Sequence, residues 1–170
     1  QGGKKTVRPN SAALKIFETP YLYPPGIGHG WHGYFYSASI RGAVRKLAAR
    51  TLFDLVYGMF AYPDGWAAGR VAEKLGLPFV LKVHGTDVHQ LREDPSRRRR
   101  LRESLQRAKR VVAVSDQLAG EVRDITPNVQ VCVVRNGIDS SLFRPGSQEE
   151  AREKLGLLKE EPDVLYVGRM

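Results

Sequence analysis

From position 53 onward, apolar and polar residues fall into short blocks that alternate between two periods. Phe53-Asp54-Leu55-Val56-Tyr57 predicts a short strand. Asp64 to Leu75 has helical spacing and stops at Gly76, with Pro78 just beyond. Phe79 to Val83 predicts a second strand, and Ser96 to Arg107 a helix. Arg110 to Val114 predicts a third strand, after which Ser115 is placed to cap a helix from Asp116 to Asp124. Val129 to Val134 is the next apolar run; Glu149 to Leu155 is helical up to Gly156, and Asp163 to Val167 predicts a last strand.

The beginning of the chain lacks this order. Pro20, Pro24, Pro25, Gly26, Gly28 and Gly30 oppose regular helix, and the aromatics from Tyr21 to Tyr36 are threaded among them. This predicts a long loop with apolar anchors. A helix is expected from Ser37 to Arg50, with Ile40, Val44, Leu47 and Ala48 at helical spacing.

Short apolar strands alternating with helices imply βαβ units around a buried parallel sheet. The expected class is α/β, an open parallel Rossmann-like sheet with helices on both faces. Such sheets bind ligands beyond the carboxyl ends of their strands. The segments to read for chemistry are therefore 58–65, 84–87, 115–116, 135–139 and 168–169.

Composition narrows the class. The 170 residues are 42% hydrophobic and 26% charged, an ordinary globular balance. No apolar run approaches the roughly 20 residues of a membrane span. Gln1 to Asn10 is polar and basic, unlike a secretory signal. The chain has no initiator Met and stops at Met170 after an apolar run, so both ends are expected to be cut. The single cysteine, Cys132, excludes an internal disulfide and reads as a small apolar residue in a reducing compartment. The net charge is +9 and falls to +5 without Arg97 to Arg100, so the rest of the chain is mildly basic. Leu101 and Leu105 mark the buried side of that helix. Its arginines read as a solvated face or as a surface for anionic lipid headgroups or a phosphorylated acceptor. Nucleic acid fits less well, because no aromatics are interleaved with these charges.

Three segments carry candidate chemistry. His84-Gly85-Thr86-Asp87 follows a strand: Gly85 permits a sharp turn, and an imidazole can hydrogen-bond a sugar hydroxyl or a phosphate. Taken alone, it also reads as a turn whose polar side chains satisfy local backbone. Tyr62-Pro63-Asp64-Gly65 offers Asp64 as a helix cap or a ligand contact. Arg135-Asn136-Gly137-Ile138-Asp139 carries an Asn-Gly turn signal, and Phe143 before Pro145 is placed to anchor the exit from the domain. No Gly-x-Gly-x-x-Gly follows a predicted strand, and there is no P-loop, Asp-x-Asp pair or nucleophile elbow.

Taken in order, Phe53 to Tyr57, Ala61 to Gly65, Leu77 to Val80, His84 to Asp87, Ala108 to Ser115, Val134 to Asp139 with Phe143-Arg144-Pro145, and Leu165 to Arg169 resemble family 4 of the glycosyltransferases. The match runs from about Pro20 to Met170. The resemblance implies a GT-B fold, two Rossmann-like domains across a cleft, with the acceptor held mainly by the first and the nucleotide-sugar by the second. It implies residues 1–145 as most of the first domain, lacking its first strand and glycine-rich loop, 146–162 as a connection, and 163–170 as the start of the donor domain. Members retain anomeric configuration and usually need no metal. His84 matches the histidine that lies near the transferred sugar and acceptor. Arg169 matches the arginine that binds the donor diphosphate, where a guanidinium suits developing negative charge. Asp64, Gly85, Thr86, Asp87 and Asn136 are the other expected substrate contacts.

The implied reaction transfers a hexose from a UDP- or GDP-sugar to a saccharide or lipid-linked acceptor, in cell-surface polysaccharide or glycolipid synthesis. The protein is expected in the cytoplasm, or at the inner face of the membrane through Arg97 to Arg100. The family's donor-site lysine and glutamate fall beyond Met170, so the isolated chain is expected to be inactive. The rival readings are a non-catalytic saccharide- or nucleotide-binding α/β module and a basic nucleic-acid-binding domain.

Overall fold

The computed structural model describes residues 15–23, 29–93, 95–157, 162 and 164–166. The chain divides into two units, Gln1–Arg135 and Asn136–Met170, each described by itself.

In the first unit a short 3-10 turn leads into α1, His32–Ala48. Then come β1 (Val56–Met59), a wide turn over Ala61–Gly65, α2 (Trp66–Leu75), β2 (Phe79–Val83), α3 (Thr86–Glu93), α4 (Pro95–Arg107), β3 (Arg110–Ala113), α5 (Asp116–Ile125) and β4 (Val131–Val133). The strands form one parallel sheet in the order β1-β2-β3-β4. Gly58, Leu81, Val111 and Val131 lie side by side across it, and Met59, Lys82, Val112 and Cys132 form the adjacent row.

These rows point to opposite faces, because side chains alternate along a strand. The first face is the core. Phe79, Leu81, Val83, Val111 and Ala113 pack there with Ala72 of α2, Leu101 and Leu105 of α4, and Leu118, Val122 and Ile125 of α5. Burying each large aliphatic side chain contributes about 1.5–3 kcal/mol. None of the second row belongs to that cluster, and Tyr57 and Met59 are half exposed. The α/β class and parallel sheet are those expected. Among the described residues, α2, α4 and α5 share the core of one face. Parallel strands in consecutive order, joined by crossovers of one hand, put those crossover helices on the same side.

Several boundaries differ from those expected. The first helix begins at His32, inside the aromatic stretch read as loop. Its first turn is fixed by tertiary contact: the Gly33 N–H donates to the Tyr62 hydroxyl at 2.9 Å. The first strand is displaced toward its carboxyl end, to Val56–Met59. Helix α3 arises where a turn was read. By contrast, Ser115 caps α5 as expected, its Oγ accepting the Leu118 N–H at 3.2 Å, and α2 ends at the left-handed Gly76. Cys132 is half buried, with Sγ 3.7 Å from the Val111 carbonyl oxygen.

In the second unit, Asp139 Oδ1 accepts hydrogen bonds from the Ser141 N–H and hydroxyl and the Leu142 N–H. These bonds hold its carboxyl below the usual range. Helix α6, Gln148–Leu155, is capped by Ser147, whose Oγ accepts the Glu150 N–H. The strand expected over 163–167 is not formed at its described centre, 164–166, which is exposed and outside any sheet. Asp163 and Val167 lie outside the described residues, as does the polar stretch Gln1 to Asn10.

Candidate functional site

Because all four strands run in one direction, their carboxyl ends share one edge. Two turns meet there. After β1 the backbone passes through Phe60 with φ 64° and ψ 135°. This region is sparsely populated by residues with a side chain and costs of order 1–3 kcal/mol. The Phe60 N–H donates to the Lys82 carbonyl at 2.9 Å, and its own carbonyl accepts the Gly65 N–H at 2.8 Å. A methyl at Gly65 would run into that carbonyl oxygen, so only glycine closes the turn. The Tyr62-Pro63 peptide is cis.

After β2 the chain reverses through Gly85, φ 105°, whose carbonyl accepts the N–H groups of Val88 and His89 and so opens α3. Asp87 ties the two turns together. Its Oδ1 accepts the N–H of His84 at 2.9 Å and of Gly85 at 3.0 Å, and its Oδ2 accepts the Ala61 N–H at 2.8 Å. The carboxylate is buried and spent on three backbone donors, so its geometry is that of a clamp.

His84 is held at the centre of this arrangement. Its ring lies 4.6 Å from the Phe60 ring. Its Nε2 is buried and has no hydrogen-bond partner among the described residues. A buried imidazole nitrogen left without a partner costs about 1–3 kcal/mol in a folded protein, and such an atom is explained by strain, a catalytic role, or a bound water or ion.

Asp64 does not cap α2: no side-chain bond closes that helix's first turn. It lies within the wide turn, with its carboxylate close to the hydroxyl of Tyr36 on α1. Burial, and then the Asp64 charge, push the Tyr36 hydroxyl's pKa up. Tyr36 belongs to an aromatic wall with Tyr21, Tyr23 and His32. His32 joins that wall edge-on to Tyr62 at 6.4 Å.

The structure thus brings Asp64, His84, Gly85, Thr86 and Asp87 to one edge. Thr86 is exposed and begins α3. Asn136 is exposed and belongs to the second unit. Arg169 lies outside the described residues. Sequence reasoning missed Phe60, since a phenylalanine at a strand end reads as core; only its backbone conformation sets it apart. It also missed Tyr36, which stood in the region read as anchored loop.

The basic helix α4 is less free than expected. Arg98 and Arg99 are exposed, Arg97 is half buried, and Arg100 is largely covered. Arg100 donates to Glu103 at 3.0 Å and sits 5.1 and 5.3 Å from the Tyr34 and Trp66 ring centres. Burial alone would raise the Glu103 pKa, but hydrogen bonds from Trp66, Arg100 and Arg99 outweigh it and leave the pKa lowered.

Comparison with known proteins agrees with this architecture. The family model for Glycosyltransferase Family 4 matches residues 5–142. A teichuronic acid biosynthesis glycosyltransferase of Bacillus subtilis (strain 168), TuaC, is 33% identical over 136 residues, 77% of this chain and 35% of its own length. N-acetyl-alpha-D-glucosaminyl L-malate synthase of Bacillus anthracis is 23% identical over 151 residues, covering 87% and 37%. D-inositol 3-phosphate glycosyltransferase 2 of Catenulispora acidiphila is 29% identical over 132 residues, covering 69% and 30%. The chain therefore spans about a third of the length of these relatives. With a parallel α/β sheet and a family match over most of its residues, this chain belongs to Glycosyltransferase Family 4.

Proposed function

We propose that the chain forms most of the acceptor-side domain of a nucleotide-sugar-dependent glycosyltransferase of GT-B architecture. The observation that carries this reading is the unpartnered, buried Nε2 of His84 at the carboxyl edge of the sheet. The imidazole is oriented by its backbone bond to Asp87 and by Phe60. In this reading Nε2 completes its hydrogen bonding with a hydroxyl of the transferred sugar or of the acceptor. Asp64 and Thr86 contact the acceptor, and Asp87 positions the His84-Gly85 turn. Asn136, in the second unit, is a further substrate contact implied by the family resemblance.

The full protein transfers a hexose, with retention, from a UDP- or GDP-sugar to a saccharide or lipid-linked acceptor, without a metal. It serves cell-surface polysaccharide or glycolipid synthesis. The names of the relatives, which speak of glycosyltransferases and of teichuronic acid biosynthesis, support that class of product. Residues 1–145 form the acceptor-side domain, 146–162 the connection, and 163–170 the start of the donor domain. There Arg169 stabilises the departing diphosphate. The enzyme works in the cytoplasm, at the inner face of the membrane when its acceptor is lipid-linked, and residues 1–170 alone are inactive. Among the described residues, no helix is long and apolar enough to cross a membrane.

The test is His84→Ala in the full-length protein, assayed by release of the nucleotide diphosphate. Turnover should fall about a hundredfold, the scale of losing one general acid–base or polar contact in a transition state, while nucleotide affinity changes little. Unaltered turnover removes His84 from the site. Saccharide or nucleotide binding by the wild type without transfer favours a binding module instead.

A further inference from the structure

Helices α1 and α2 pack side by side and leave a groove of about 280 Å³ between their carboxyl-terminal halves. Its floor is aliphatic: Val44 and Ala48 from α1, Val71 and Leu75 from α2. Its rim is cationic, with Arg41 and Arg45 one turn apart on α1, and Arg70 and Lys74 one turn apart on α2. Lys46 and Arg50 extend the same charge along α1 and its end.

The acid count on these helices is decisive. Helix α1 contains no Asp or Glu, and α2 contains only Glu73, whose carboxylate is taken by Arg107 of α4 at 2.9 Å. Arg70 faces the rings of Trp66 and Tyr34. The side chains of Arg41, Arg45 and Lys74 make no ion pair or hydrogen bond among the described residues. Immediately beyond α1, Leu52 is 99% exposed.

We propose that this α1–α2 face docks on an anionic lipid bilayer. An uncompensated cationic rim matches headgroup phosphates, each Lys or Arg near such a surface contributing favourably. Nucleic acid would match the charge but would leave the aliphatic groove and Leu52 without a partner. A bilayer satisfies both: arginine and lysine stems lie along apolar surface while their charges reach the headgroups, and Leu52 enters the acyl boundary. Docking therefore moves from the Arg97–Arg100 run, where Arg99 and Arg100 are held by Glu103, to the neighbouring face. The proposal does not depend on the reading of His84.

The test is co-sedimentation of the full-length protein with phosphatidylcholine vesicles, with and without phosphatidylglycerol. Wild type should bind the anionic vesicles, and added salt should weaken binding because exposed charges are screened. The triple variant R41Q/R45Q/K74Q should lower the vesicle partition coefficient by about tenfold or more, whereas R98Q/R99Q should leave it unchanged. Leu52→Asn should weaken binding to a smaller degree. Matching circular dichroism melts for wild type and triple variant show that the loss is one of surface. Should the triple variant melt early, the single variants R45Q and K74Q must each weaken binding. Equal binding to neutral vesicles, triple or single variants that bind anionic vesicles like wild type, or an equal loss in R98Q/R99Q would each overturn the proposal.

Discussion

The first two strands end in the same kind of backbone excursion but reach it with opposite residue types. At the end of β2, Gly85 takes φ 105° with no side chain to oppose it; at the end of β1, Phe60 takes φ 64° with a whole phenyl ring attached. The glycine makes its turn without strain. The phenylalanine turn is held by backbone bonds to Lys82 and Gly65 on either side, and it sets the ring 4.6 Å from His84. One turn minimises strain, and the other accepts strain to place an aromatic surface. Asp87 bonds to both, so neither can shift without the other.

The most damaging way to break this pairing is to remove the shared carboxylate. Asp87→Ala leaves three N–H groups, one of them fully buried, unpaired and should destabilise the protein by about 3 kcal/mol or more, measured by urea unfolding. Asp87→Asn should cost less, because one oxygen remains to accept while the amide nitrogen opposes a donor. Equal losses would mean that the carboxylate charge, rather than its bonding pattern, is what matters. Gly85→Ala should come next, at about 1–3 kcal/mol, from the strain of a side chain at that φ; a neutral result would show that the turn relaxes freely. Phe60→Gly should have the smallest effect on stability, within about 1 kcal/mol, because relief of strain offsets glycine's greater loss of chain entropy. A loss above about 3 kcal/mol there would make Phe60 a packing residue and remove the distinction between the two turns.

The sheet was legible in the sequence because buried parallel strands write themselves as runs such as Phe79 to Val83, and because Ser115 and Gly76 are local punctuation whose effect does not depend on distant contacts. The start of α1 was not legible. It depends on a bond between Gly33 and Tyr62, 29 residues apart, while the local glycines and aromatics argue against helix. Helix α3 was hidden for a related reason: Gly85 marks the turn that nucleates it, and turn chemistry is the same whether a helix or a loop lies beyond. At the edge, His84 could be found from its place after a strand. The clamp made by Asp87 could not, since its third bond reaches Ala61 across the fold. The arginine run of α4 taught the opposite lesson: charge most conspicuous in the sequence is partly neutralised in the structure, and the uncompensated charge lies on helices whose basic residues are spread a turn apart.

The consecutive strand order carries a consequence for how the chain is made. Each strand of the sheet pairs with the one synthesised just before it, across a single helical crossover or, between β2 and β3, a pair of helices. No described strand of the sheet has to wait for a partner many elements away, and the loop closed at each step stays short, which keeps its entropy cost low. As the polypeptide leaves the ribosome from its amino end, β2 can dock on β1, then β3 on β2, then β4 on β3. Each addition extends an edge already in place. The two turns that build the candidate site both lie in the first of these steps, so Asp87 can close its three bonds before β3 and β4 have joined the sheet.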